Sequence, residues 1–183
     1  MSFKYEYGIE TYQLINVSDL ENAINLLCNA STIYLFGVGG SSVIANWYWT
    51  KINQNWEKVI YNNDLHIQMT FTQSMTKDDT ALIISYSGTT AGLVDISKIF
   101  SWKKYFRNYF KLHKINQNLI SKNSTVALRV PSEEKELRIG AVSSRISSFV
   151  ITDLLYYGVF KKNFDKNKDN LIDSRNNVSI LKK

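Results

Sequence analysis

Three short runs of nearly unbroken apolar character, "TIYLFG" at 32–37, "TALIIS" at 80–85 and "STVALRV" at 124–130, lie between stretches whose apolar residues recur every three or four positions. A strand that is apolar on both faces must be covered on both faces, and the stretches between supply the helices that cover it. That alternation restricts the chain to an α/β class: a parallel sheet of roughly five strands forming the middle layer of a three-layer αβα, doubly wound sandwich. "EKVIY" reads as a further strand and "YFKLH" as a weaker one. Helices are expected over "NVSDLENAINLLCNA", where Ser18 and Glu21 have capping-box spacing, and over "SSVIANWYWTKINQ", "LHIQMTFTQSM" and "AGLVDISKIFSWKKYF". The last helix, "ELRIGAVSSRISSFVITDLLYYGVF", is long and apolar at i, i+3, i+4 spacings.

The chain has 183 residues, 44% hydrophobic and 21% charged, enough for one domain with a real core. There is no internal repeat and no linker before about residue 161, which divides it into a folded part, 1–160 (with 1–17 as an N-terminal extension), and a polar, basic, flexible tail, 161–183. No apolar run approaches the ~18–20 residues that span a bilayer, and "MSFKYEYGIE" is too polar for a signal peptide. A cytoplasmic protein without a membrane partner is therefore expected. The single cysteine, Cys28, allows no intrachain disulfide and no CxxC metal spacing, so neither a metal nor a cofactor is expected.

The formal net charge of +6 is unevenly placed. Residues 161–183 hold seven Lys/Arg against three Asp/Glu, a balance of +4, which fits a solvated end better than a nucleic-acid face. "SWKKYFRNYFKLHK" interleaves bases with aromatics as single-strand binders do, but a helix with one wet face gives the same pattern. "DKNKDNLID" places oxygens at several EF-hand positions, yet Asn170 replaces the turn glycine and Asn176 the bidentate Glu, so no calcium site is expected.

Chemistry concentrates in two turns. "GVGGSS", 37–42, joins a strand to a helix; Gly39 and Gly40 let a ligand approach the backbone closely, and the helix N-terminus offers N–H groups and a positive dipole end. "SYSGTT", 85–90, ends the strongest strand in a rim of hydroxyls around one glycine, and Ser85, Ser87 and Thr90 can each donate to a phosphate oxygen. Neither turn is a Walker P-loop, since no GK[ST] follows, and Ser42 stands where the dinucleotide fingerprint needs its third glycine. Taken singly, either turn could exist for packing alone.

Together, in this order and about 45 residues apart, the turns resemble those of the sugar isomerase (SIS) domain, a flavodoxin-like phosphosugar-binding module: "GVGGS" resembles its first-strand turn and "SYSGTT" its S-x-S-G-x-T phosphate loop. "DLHIQ" at 64–68 and "EEKELRIGAVSSRISSFVITDLLY" at 133–156 narrow the resemblance to the sensor domains of RpiR-type bacterial transcription regulators. The resemblance covers residues 11–160 or so. It implies phosphate contacts at Gly39, Gly40, Ser41, Ser85, Ser87 and Thr90, with Tyr86 giving only its backbone N–H, and a carboxylate near the sugar hydroxyls at Glu136. His66 is a possible contact at the sugar end, although a hydrogen-bonded structural histidine fits it equally well; His113 ends the doubtful strand and is given no role. Lys111 departs from the apolar residue the family has there, so a distorted sheet edge is expected around "YFKLH".

RpiR-type regulators also carry an N-terminal helix-turn-helix domain that this chain lacks, so contact with DNA is expected only through such a domain. The resemblance thus implies a sugar-phosphate effector and a regulator's sensor rather than a catalyst. The alternative, an aldose–ketose isomerase, needs an acid–base pair for which Glu136 and His66 are the only candidates. Finally, Ile139, Val142, Ile146, Phe149, Val150, Leu154, Tyr157 and Phe160 make the last helix apolar nearly all round. Such a helix must be buried on more than one side, which implies a homo-oligomer, in the simplest case a two-fold dimer.

Overall fold

The computed structural model describes residues 3–54, 58–102, 109–114, 120, 124–131 and 142–180. The chain runs α1 (Phe3–Leu14), α2 (Val17–Cys28), β1 (Ile33–Phe36), α3 (Gly40–Ile52), β2 (Val59–Ile60), α4 (Leu65–Ser74), β3 (Thr80–Ile84), α5 (Ala91–Trp102), β4 (Tyr109–Lys114), β5 (Val126–Val130), α6 (Val142–Lys162) and α7 (Phe164–Ile180). The strands form one sheet in the order β2-β1-β3-β4-β5, parallel throughout.

Period-two alternation along β1 and β3 sends their residues into two cores. Ile33 and Leu35 of β1, Leu82 and Ile84 of β3 and Val126, Leu128 and Val130 of β5 pack with Ala23, Ile24 and Leu27 of α2, Ile44, Ala45, Tyr48 and Ile52 of α3 and Ile151, Leu155 and Val159 of α6. On the opposite face, Tyr34, Phe36, Ala81 and Ile83 pack with Met75 and with Leu93, Val94, Ile96 and Phe100 of α5. Phe36 meets Phe100 edge-on at 5.6 Å between centroids. The sandwich is therefore three-layered, as the apolar runs imply: α2, α3 and α6 on one face, α4 and α5 on the other. No helix of the described residues is long and apolar enough to cross a membrane.

Several local expectations give way. The cap of α2 is Asn16, whose side chain accepts from the Asp19 N–H at 3.2 Å, so Ser18 lies inside the first turn rather than capping it. β4 is an inner strand, paired in unbroken register with β3 over four residues and with β5 over five, and not a distorted edge; ladders on both sides saturate its backbone. The N-terminal extension contains α1, which packs on α6 and β5. Where the sequence suggests a flexible tail, the structure has α7. Asn167, 2% exposed, donates its Nδ2 to the carbonyls of Val159 (3.4 Å) and Phe160 (3.2 Å), tying α7 to unpaired carbonyls in the last turn of α6.

The long helix α6 also faces the core differently from its apolar reading. Its buried side is Ser144, Ser147, Ser148, Ile151, Thr152, Leu155 and Val159, whereas Ile146, Phe149, Val150, Leu154 and Phe160 are half-buried and Tyr157 is exposed. Two of these hydroxyls turn back onto their own helix: Ser148 Oγ donates to Ser144 O at 2.7 Å and Thr152 Oγ1 to Ser148 O at 3.0 Å. Ile139 lies outside the described residues.

Candidate ligand cleft

Strand order reverses at β1, with β2 on one side and β3 on the other, so the turns leaving β1 and β3 open onto the crevice where α/β sheets bind ligands. A cleft of about 310 Å³ lies there.

The first turn is shaped by glycine at two places. A Cβ on Gly37 would sit 3.0 Å from the Ser41 carbonyl oxygen and 3.4 Å from Ala45 Cβ, so the chain leaves β1 pressed against α3. Gly39 has φ +57° and ψ −130°, a conformation that side chains resist. It is the N-cap of α3 and no side chain caps the helix. A Cβ on Gly39 or Gly40 would meet nothing within 4 Å, so this face of the turn is open to the cleft. Behind it, Tyr61 donates its hydroxyl to the Ser42 carbonyl at 3.0 Å; burial holds this phenol above its ordinary pKa.

In the second turn, the Gly88 N–H closes on the Ser85 carbonyl at 3.1 Å with Gly88 at φ +67°. Ser87 Oγ accepts from the Thr89 N–H at 3.2 Å. The Thr90 carbonyl takes the Val94 N–H at 2.9 Å, which starts α5. The N-termini of α3 and α5 thus both reach the cleft, each with the positive end of a helix dipole; in α3 the Ser41 and Ser42 N–H groups turn back onto the Val38 and Gly39 carbonyls, both at 3.1 Å. A third wall comes from α6 through Ser144, Arg145 and Ser148.

Of the residues singled out in the sequence, Gly39, Gly40, Ser41, Tyr86, Ser87 and Thr90 line this one cleft. Tyr86 contributes more than its backbone: its side chain is part of the wall and its hydroxyl donates to the Pro131 carbonyl at 3.3 Å, joining the second turn to the segment that follows β5. Ser85 is 3% exposed and does not line the cleft; its Oγ is buried without a hydrogen-bond partner. His66 is an exposed residue in the first turn of α4, away from the lining. Glu136 lies outside the described residues. Sequence reasoning passed over Arg145, Ser144 and Ser148, whose signal was there: hydroxyls at 144, 147, 148 and 152 occupy the stripe of α6 that a simple packing helix would fill with Leu and Ile.

Arranged this way, the cleft offers hydroxyls, two helix N-termini and a guanidinium to an anion, and no carboxylate is among its described lining residues. A phosphate group fits that inventory. The remaining length of the cleft, walled by Val38, Ile44 and Tyr86, is roomy enough for a sugar ring.

Residues 26–157 match the SIS domain. An uncharacterised HTH-type transcriptional regulator of Caldanaerobacter subterraneus is 32% identical over 155 residues, covering 85% of this chain and 54% of that protein. The HTH-type transcriptional regulator YbbH of Bacillus subtilis, also uncharacterised, is 27% identical over 161 residues, 85% of this chain and 55% of its own length. The chain spans about half the length of the curated relatives it matches. Among solved structures, the NanR protein of Vibrio vulnificus complexed with ManNAc-6P superposes with a TM-score of 0.88 at 22% identity, over 97% of this chain and 66% of that one. The sugar isomerase domain of the RpiR transcription factor from Sphaerobacter thermophilus gives 0.80 at 12% identity, over 97% and 94%. At these identities the two structures share the fold with this chain.

Proposed function

Because the chain belongs to the SIS domain family, we propose that it is the phosphosugar-sensing part of an RpiR-type transcriptional regulator. The observation that carries this reading is the convergence of two strand-to-helix turns, with Ser41, Ser87 and Thr90, on one cleft faced by Arg145. The relatives that are HTH-type regulators support it, and so does the fold shared with a protein complexed with ManNAc-6P. In this reading Ser41, Ser87, Thr90 and the backbone of Gly39 and Gly40 hold the phosphate, and the sugar lies along Tyr86 towards α6. Glu136 is the carboxylate for the sugar hydroxyls. The effector acts by binding one state of the regulator more tightly than another, and DNA is contacted by the part of such a regulator outside this chain.

The isomerase alternative draws less support. Proton transfer between adjacent sugar carbons needs an acid–base pair within hydrogen-bond reach of them. His66 stands on the exposed start of α4, and neither a carboxylate nor a histidine is among the described lining residues.

The reading includes self-association. Val43 (50% exposed) and Trp47 (39%) on α3 and Tyr157 (69%) on α6 are exposed large apolar residues, and α3 and α6 pack together. Trp47 and Phe149 stand edge to face at 5.9 Å, and Trp47 Nε1 reaches Asp153 Oδ1 at 3.5 Å. A second copy of the chain, docked about a two-fold axis, covers this surface. Since α6 also lines the cleft, the ligand then lies one helix away from the partner subunit.

A thermal-shift series tests the sensor reading. A ligand that binds only the folded state stabilises it by about 2.7 kcal/mol at a hundredfold excess over Kd, equivalent to several degrees. Hexose 6-phosphates should raise the midpoint, and the corresponding free sugars should not. A flat response to all phosphosugars would overturn the assignment.

A further inference from the structure

We propose that Gln68 is a positioning residue for the first anion turn, its side-chain amide standing in for a residue that β2 is too short to provide. The proposal rests on the cleft being the phosphosugar site. β2 pairs with β1 at two positions only, Ile33 with Val59 and Tyr34 with Ile60. In a parallel ladder the N–H and C=O of one residue point to the same neighbour, and successive residues alternate sides. The Ile33 N–H bonds towards β2, to Lys58 O at 2.9 Å, while the Thr32 carbonyl bonds towards β3, to Thr80 N at 2.9 Å. Odd-numbered residues of this run therefore address the β2 side, and Gly37 arrives there after β2 has ended.

Gln68 takes that vacant side. It is 0% exposed; its Oε1 accepts the Gly37 N–H at 3.1 Å, and its Nε2 donates to the Gly37 carbonyl at 2.9 Å. The second Nε2 hydrogen goes to the Asn62 carbonyl at 2.8 Å, just past the end of β2. The amide thus closes a peptide-like pair on Gly37, two residues before the positive-φ Gly39, and ties it to the strand that fell short. The start of α4 is itself braced. Asp64 Oδ1 accepts the N–H groups of His66 (2.8 Å) and Ile67 (3.1 Å), and Asn62 Oδ1 accepts that of Asp64 at 2.8 Å.

The same helix also touches the second turn. A Cβ on Gly92, two residues after Thr90, would lie 2.4 Å from Leu65 Cδ2, so α5 begins in direct contact with the first residue of α4. One short helix thereby holds one turn through Gln68 and abuts the other through Leu65, and so sets the width of the phosphate end of the cleft. The block "DLHIQ" is in this light a scaffold for the site, with Asp64 as cap, Leu65 as spacer and Gln68 as clamp.

The test compares Gln68→Met, which keeps the length and removes all three hydrogen bonds, with Met75→Ala, which weakens the far end of α4 without touching Gly37. Two readouts are taken well below each midpoint: amide hydrogen exchange at Gly37–Ser41, and the Kd for glucose 6-phosphate, with inorganic phosphate as a second probe. An unpaired buried peptide group corresponds to roughly a tenfold effect or more. Gln68→Met should therefore speed exchange at Gly37–Ser41 and raise Kd by about that factor, whereas Met75→Ala at matched stability should change neither. Equal effects in the two variants, or a destabilised Gln68→Met with unchanged exchange at the turn, would overturn the proposal. If the parent binds neither probe, the exchange comparison alone decides the role of Gln68, and the phosphosugar reading is decided by the thermal-shift series.

Discussion

Ser85 is the residue whose position most changes what its hydroxyl means. In an S-x-S-G-x-T loop it reads as one of three equal donors, but only Ser87 and Thr90 reach the cleft wall, and the Ser85 Oγ is buried and unpartnered. A buried hydroxyl without a partner costs about 1–3 kcal/mol. Ser85→Ala should therefore raise the stability of the unliganded protein by about 1 kcal/mol, measured by urea denaturation. A loss of stability instead would show that the hydroxyl is satisfied in solution. Ser87→Ala should have the opposite profile, weakening phosphosugar binding by about 1.5–3 kcal/mol, the contribution of a hydrogen bond to a charged group, with little change in the midpoint. Calorimetric titration checks it, and unchanged affinity would remove Ser87 from the site. The types and spacing of these residues were legible in the sequence because a turn's chemistry is local. Whether a hydroxyl faces ligand or core was not, since that depends on strands brought together from distant parts of the chain.

Among the elements, α6 shows the same division. Its existence and length follow from apolar spacing, yet its core stripe runs through Ser144, Ser147, Ser148 and Thr152 beside Ile151, Leu155 and Val159, and the apolar residues Ile146, Phe149, Val150, Leu154 and Phe160 are only partly covered. Periodicity reports that a helix is amphipathic but not which of two apolar stripes meets its own sheet. Helix crossings were illegible for a similar reason. Gly158 looks like a weak point in a helix, but a Cβ there would sit 2.2 Å from Ile24 Cδ1, so it lets α6 and α2 approach closely. Gly158→Ala should cost about 1–3 kcal/mol by overpacking, less about 1 kcal/mol regained in helix propensity. Combined with Ile24→Val, the loss should be clearly smaller than the sum of the single losses. Additive losses in a denaturant double-mutant cycle would mean that the two side chains do not compete for one space. The order in 164–180 was hidden because a composition rich in Lys, Asn and Asp signals solvation; one buried amide, Asn167, is enough to dock the helix.

For the whole molecule, the apolar surface shared by α3 and α6 sets the expected mass. Light scattering at micromolar concentration should give twice the 21.1 kDa of one chain, and Tyr157→Glu, which places a charge on the exposed part of that surface, should return the mass to that of a monomer. A monomeric parent would remove the dimer and with it the route from ligand to partner. The layered architecture was readable from alternating apolar runs, but the strand order was not, since sequence spacing does not say which strands become neighbours. That order carries a kinetic consequence. The cleft sits at the ends of β1 and β3, whose pairing joins residues 33–36 to 80–83, and its third wall arrives only with residues 144–148. Closing such loops without a single hairpin along the way is slow in entropic terms. During synthesis, an emerging chain with β1, α3 and β2 already present still has only part of the cleft lining, and the cleft closes only after Ser144, Arg145 and Ser148 have emerged.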